Sequence, residues 1–326
     1  MLHVKVEADR IRIGERLAVS FQRTLRIPDD GREYPLPPGL GCFPVQRAAD
    51  YADRVPATWN RPHTFFIPMY QREAVWLSFH GAAWKPNAVK VGVGNINAIS
   101  GAAWDLPLHN EPQDYMVCPP QPWLDGINAG DSYIRQFVAM PLGQGYTVEG
   151  QLTGVEEVGG MQLLVYEPRA GRFPDQPPPS FLRAGIPPPA PGARGGSVQA
   201  MGIAAGGKMK QRIYPDPYGI DTWDLDQFAS IVVHIVNGEQ YQALTGLEPP
   251  PTPVSAQTYT QYGLPWFDLY DEALGTIAAA GSLAQVSSVH QQDQARGQVA
   301  GDEASVEIPE ANIKTLKPQQ PHSEGI

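Results

Sequence analysis

A chain of 326 residues with 42% apolar side chains can bury one large core or two ordinary ones, which excludes global disorder. Its net charge of −10 comes from 24 basic against 34 acidic residues, with no basic block. That balance argues against a protein that tracks nucleic-acid phosphates or holds an anionic membrane through a polybasic patch.

Along the chain, Leu2, Val4 and Val6 alternate with His3, Lys5 and Glu7, the two-residue period of a half-buried strand. The same start lacks the charged and apolar regions of a secretory signal. No run reaches the ~18 apolar residues of a membrane span, so the expected location is cytoplasmic. The alternation returns at positions 10–13 and again at Leu17, Val19 and Phe21. Asp29-Asp30-Gly31 reads as a turn and 35–41 as irregular chain. Strand-like runs follow at 64–70, 73–80, 88–93, 115–118, 133–140, 146–152 and 161–166, the last two forming a hairpin through Gly154 and Gly159-Gly160. No helix-length segment separates these runs, and the 34 prolines and 33 glycines favour turns. The pattern predicts a mainly β fold, an antiparallel sandwich or barrel with a few short helices and one C-terminal helix.

This first β-rich domain spans 1–173. In 174–196, 12 of 23 residues are proline or glycine, which reads as a linker or long surface loop, with a ligand for a proline-recognising module as the alternative. A smaller α+β region packed on the first follows at 197–286. Ile231, Val232, Val233, Ile235 and Val236 favour a strand there, and Asn237 with Gln240 favours a short helix ending near Gly246. A longer helix is expected to begin at Pro265, with Asp268, Asp271 and Glu272 in its first turns. All 30 aromatic residues lie before position 271, so 287–326 reads as a mobile polar tail.

Asp216, Asp221, Asp224 and Asp226 share one short stretch with Gly219. Calcium takes six to eight oxygens, which such a loop can supply, so these four are the candidate metal ligands and calcium the candidate cofactor. Their order departs from EF-hand spacing, and local turn formation is the competing explanation. Cys118 and His109, with Asp105 and Asp114 nearby, suggest a thiol–imidazole pair, but Cys118 closes an apolar run where cysteine serves as a small buried hydrophobe. The two cysteines make no disulfide framework. Gly202, Gly206 and Gly207 before Lys208 lack the spacing and hydroxyl of a phosphate loop and read as a flexible connector.

Trp59, Trp76, Trp84, Trp104 and Trp123 fall close together among Asn95, Asn97, Asn110, Asp125 and Asn128. Rings beside polar side chains suit a sugar- or peptide-binding face, against the plainer role of filling a β core. Trp76 alternates with Val75 and Leu77, which directs it to the opposite face. Arg72, Glu73, Trp76, Trp123, Asp125, Arg135 and Gln136 form the candidate ligand surface.

The segments Phe66-Ile-Pro-Met-Tyr-Gln-Arg-Glu-Ala-Val-Trp-Leu, Gln121-Pro-Trp-Leu-Asp-Gly-Ile, Arg135-Gln-Phe-Val-Ala-Met-Pro-Leu-Gly and Gly263-Leu-Pro-Trp-Phe-Asp resemble segments of uncharacterised microbial proteins. The resemblance covers most of 1–270 and implies no activity or site residue. The chain reads first as an intracellular binding or assembly module with a protein or carbohydrate ligand, and with edges that suit a homo-oligomer. A hydrolase or metal-assisted enzyme with a dispersed Asp/His site is one alternative. A self-assembling structural or toxin component is the other.

Overall fold

The computed structural model describes residues 1–176, 200–269, 274–298 and 304–316. Its strands follow the period-two pattern. In Leu17–Thr24, Leu17, Val19 and Phe21 enter the core, and in Ala74–His80 so do Val75, Leu77 and Phe79.

The antiparallel ladder runs from Val4–Glu7 through Arg10–Ile13, Leu17–Thr24, Ala74–His80 and Tyr133–Pro141 to Ala200–Lys210. It continues through Trp223–Val236, Met161–Pro168 and Asn87–Val93 to Met116–Cys118. Two parallel pairings join it, Thr64–Pro68 on Trp223–Val236 and Glu33–Tyr34 on Ala200–Lys210. Ala200–Lys210 and Trp223–Val236 pair only at Ala200–Val236 and Met201–Ile235, so the sheet turns a corner there. Val75, Leu77 and Phe137 before the corner share one core cluster with Val91, Leu163 and Ile231 beyond it. A single folded-over sheet thus supplies both layers of a sandwich.

The mainly β, antiparallel expectation holds, but the barrel alternative does not, because the large sheet does not close. Among the described residues, Val4–Glu7 and Met116–Cys118 each have one paired neighbour and stand as edges. The strands that follow the proline-rich stretch sit in the middle of this ladder. The region read as 197–286 therefore contributes central strands to the common core. Residues 177–199, most of the expected linker, lie outside the described residues.

Several local expectations change. The expected strand at 146–152 is mostly helix α1, Val148–Thr153, because Thr147 caps its start and Gly154 ends it with φ 79°. The expected helix from Pro265 is replaced at its start by the strand Trp266–Leu269, parallel to Ile313–Leu316. Phe267 also exchanges two backbone hydrogen bonds with Leu36, at 2.7 and 3.0 Å. These distant partners outweigh local helix signals.

The glycines 202, 206 and 207 are strand residues rather than a connector. A Cβ on Gly207 would lie 2.3 Å from the Pro28 carbonyl oxygen, so the close approach there requires glycine. The helix expected after Asn237 forms as α2, Gly238–Thr245, capped by the Asn237 side chain and ended by Gly246. Two short helices, α3 (Ala256–Gln261) and α4 (Gly281–Ala284), follow.

The region read as a polar tail begins with a docked helix, α5, Val289–Ala295, held by a Ser288–Gln291 capping box. Val289 is fully buried, and Asp293 accepts hydrogen bonds from Arg72 Nη1 at 2.8 Å and Tyr146 Oη at 2.7 Å. Composition hid this docking because the absence of aromatic anchors was read as mobility, whereas Val289 and the buried Asp293 carboxylate hold the helix. Among the described residues no helix is long and apolar enough to cross a membrane.

Candidate functional site

The strand Ala74–His80 sends Val75, Leu77 and Phe79 inward, so its period of two turns Trp76 outward, where it is half-buried. The short strand Trp123–Leu124 pairs alongside, with Trp123 opposite Ser78. That register makes Trp123 the diagonal neighbour of Trp76, within reach of a large ring. The two indole centroids lie 6.5 Å apart with planes at 73°, forming a corner. Leu36, Pro37, Pro38, Gly39 and Phe267 complete the walls of a cavity of about 200 Å³, and Asp125 is its carboxylate. The Leu36–Phe267 backbone pair holds two of those walls together.

Asp125 follows Trp123–Leu124 and is 5% exposed. Its Oδ2 accepts from Gln211 Nε2 at 2.9 Å, and its backbone N–H donates to Gln211 Oε1 at 3.0 Å. Burial pushes its carboxyl up to about 7, partly offset by a hydrogen bond from the Trp123 side chain. Near neutral pH this group exists in both protonation states, and a cation in the cavity favours the ionised one.

Three of the expected ligand residues, Trp76, Trp123 and Asp125, thus share one cavity. The other four are tethers. Glu73 binds Arg23 at 2.6 Å and the Tyr70 amide at 2.9 Å, both within the fold. Burial raises its carboxyl, with the Tyr70 amide and Arg23 opposing. Arg72 pairs with Asp293, and Arg135 reaches Asp29 at 3.3 Å. Gln136 accepts from the Ile27 amide at 3.1 Å and donates to the Leu25 carbonyl at 2.8 Å. Glu73, Arg135 and Gln136 are therefore buried bracing, and Arg72 is a partly exposed brace. Their polar character was legible in the sequence, but their partners were not.

The four aspartates expected to hold calcium do not form a ligand set. Asp216 accepts from Tyr115 Oη at 2.6 Å and Trp223 Nε1 at 2.8 Å, and Asp224 accepts from the Asp226 amide within a local turn. Among the described residues, the one group of three candidate ligands is Asp105, His109 and Asp114. There the fully buried Lys90 ammonium lies 2.5 Å from Asp105, 2.8 Å from Asp114 and 2.6 Å from the Pro107 carbonyl. Both carboxylates of the group are thus already paired with Lys90. His109 turns its Nδ1 to Asp114 at 2.8 Å rather than to a thiol, while burial pushes the Cys118 thiol up, away from thiolate formation.

Of the other tryptophans, Trp59 is buried and stacked on His234 at 3.9 Å, in keeping with the core-filling role. Leu36, Pro37, Pro38, Gly39, Phe267 and Gln211 escaped the sequence reading. The first four lay in a stretch read as irregular, Phe267 in an expected helix, and Gln211 beyond any motif.

Fold and pocket together define a class: a folded-sheet β protein with an aromatic pocket on the outer face of one layer. Comparison of the chain with protein-family models, curated proteins and solved structures returns no match.

Proposed function

We propose that this chain is a binding module and that its ligand seats between Trp76 and Trp123. The observation that carries the reading is the convergence of two half-buried indoles and one buried carboxyl on a single cavity, on the face of the strand away from the core. Half-buried tryptophans retain apolar area for a partner to cover, at roughly 25 cal/mol per Å². A buried carboxyl adds orientation.

The enzymatic alternative has one feature in its favour, the position of Asp125 near neutrality, where general acids and bases work best. Against it, among the described residues Asp125 is the sole titratable side chain lining the cavity, whereas glycoside hydrolysis in its common form uses two carboxyls. Binding is the better reading.

The test is a fragment panel of sugars, amines, aliphatic acids and alcohols, followed by saturation-transfer NMR on the whole chain. Fragments that bind the wild type are expected to lose their signal in Trp76→Ala and Trp123→Ala proteins with native circular dichroism. Hits that persist unchanged in both variants place the ligand elsewhere and end the proposal.

A further inference from the structure

Resting on that pocket reading, we infer that the group held between Trp76 and Trp123 is an organic cation, a quaternary or highly methylated ammonium, with Asp125 as its counter-charge.

The inventory of the walls decides the class. Leu36, Pro37, Pro38 and Phe267 carry no side-chain hydrogen-bonding group, Gly39 has no side chain, and among the described residues Asp125 is the sole charged one in the walls. A sugar would bring several hydroxyls against these walls, and each one buried without a partner loses its hydration uncompensated. An anion would meet the Asp125 carboxylate and the field of a chain of net charge −10. A plain hydrocarbon would cover the carboxyl and gain nothing from it.

A quaternary ammonium has no N–H to satisfy and suits apolar walls. Its spread positive charge is attracted to the electron-rich faces of indoles, the strongest of the aromatic partners. It also stabilises the ionised form of the adjacent acid. Size agrees: an apolar cavity of roughly 150 Å³ takes a benzene ring, so about 200 Å³ has room for a trimethylammonium head and a short stem. The cage is open-cornered, with the two indoles at 73° and the 36–39 segment as a third side.

The experiment is titration calorimetry on the full chain with two probes of nearly equal shape, choline and its uncharged carbon isostere 3,3-dimethylbutan-1-ol. Choline is expected to bind at least tenfold more tightly. Asp125→Asn should remove most of that preference while leaving the isostere unchanged. Gly39→Leu is a second kind of variant: Gly39 is exposed, and a Cβ there sits 3.5 Å from the Trp76 ring, so a longer side chain fills the cavity with both tryptophans intact. It should abolish binding of both probes.

Equal affinity for the two probes overturns the cation assignment while leaving an apolar pocket in place. Choline binding that survives Gly39→Leu also overturns it. If neither probe binds the wild type, the cation assignment fails, and fragment hits lost on Trp76→Ala and Trp123→Ala decide separately whether the pocket itself binds.

Discussion

Asp125 and His234 are buried acid and base whose titrations oppose each other. Burial raises Asp125 from 3.8 to about 7. Below about pH 4 both folded and unfolded states are protonated and the group costs nothing. As pH rises from 4 to 7 the unfolded chain releases its proton first, so stability falls and then levels off. At ~1.4 kcal/mol per unit the loss is about 4 kcal/mol at most. Asp125→Asn should therefore raise the thermal midpoint above wild type at pH 8 and leave it close to wild type at pH 4. An equal effect at both values contradicts the raised carboxyl.

His234 works the other way. Stacked on Trp59, it is lowered by burial from 6.5 to about 4, and its Nδ1 has no hydrogen-bond partner among the described residues. The folded state resists protonation, so stability is lost as pH falls from 6.5 towards 4. His234→Phe keeps a ring on Trp59 and should flatten that acid limb by about 2–3 kcal/mol in denaturant titrations. A limb of unchanged slope counts against the assignment.

At the scale of elements, two placements depend on buried ionic anchors. Lys90 projects from Asn87–Val93 to Asp105, Asp114 and the Pro107 carbonyl, which secures the 105–114 segment over the outer face of the second layer. Lys90→Met leaves the buried Asp114 without its cation and should cost about 3–5 kcal/mol in urea unfolding at pH 7. A loss below 1 kcal/mol would show that the ion pair is dispensable. In α5, Asp293 joins Arg72 and Tyr146. Asp293→Ala should cost about 2–4 kcal/mol, against less than 0.5 for the exposed Gln294→Ala. Equal small losses would mean that α5 is held by Val289 alone.

Elements were legible where local pattern and tertiary need agreed. The outward turn of Trp76 followed from Val75 and Leu77, and α2 followed from Asn237 and Gly246. They were illegible where a distant partner overrode the local signal. Pro265, Asp268, Asp271 and Glu272 favour a helix start, yet Leu36 and Ile313–Leu316 supply strand partners to Trp266–Leu269. The same distance hid half of the pocket. Trp76, Trp123 and Asp125 were visible as residue types, whereas the 36–39 wall and Phe267 arrive from opposite ends of the chain.

Over the whole molecule, one sheet folded at the Ala200–Val236 corner buries its shared core and leaves the Trp76 side of the first layer for the pocket. The central claim is that this pocket binds an organic cation. Its most direct measurement is the indole N–H spectrum of the ¹⁵N-tryptophan-labelled chain, which carries seven tryptophans, titrated with tetramethylammonium chloride against sodium chloride. The two signals that vanish in Trp76→Phe and Trp123→Phe should shift saturably while the other five stay fixed. Shifts spread over all seven, or confined to tryptophans other than this pair, contradict the account.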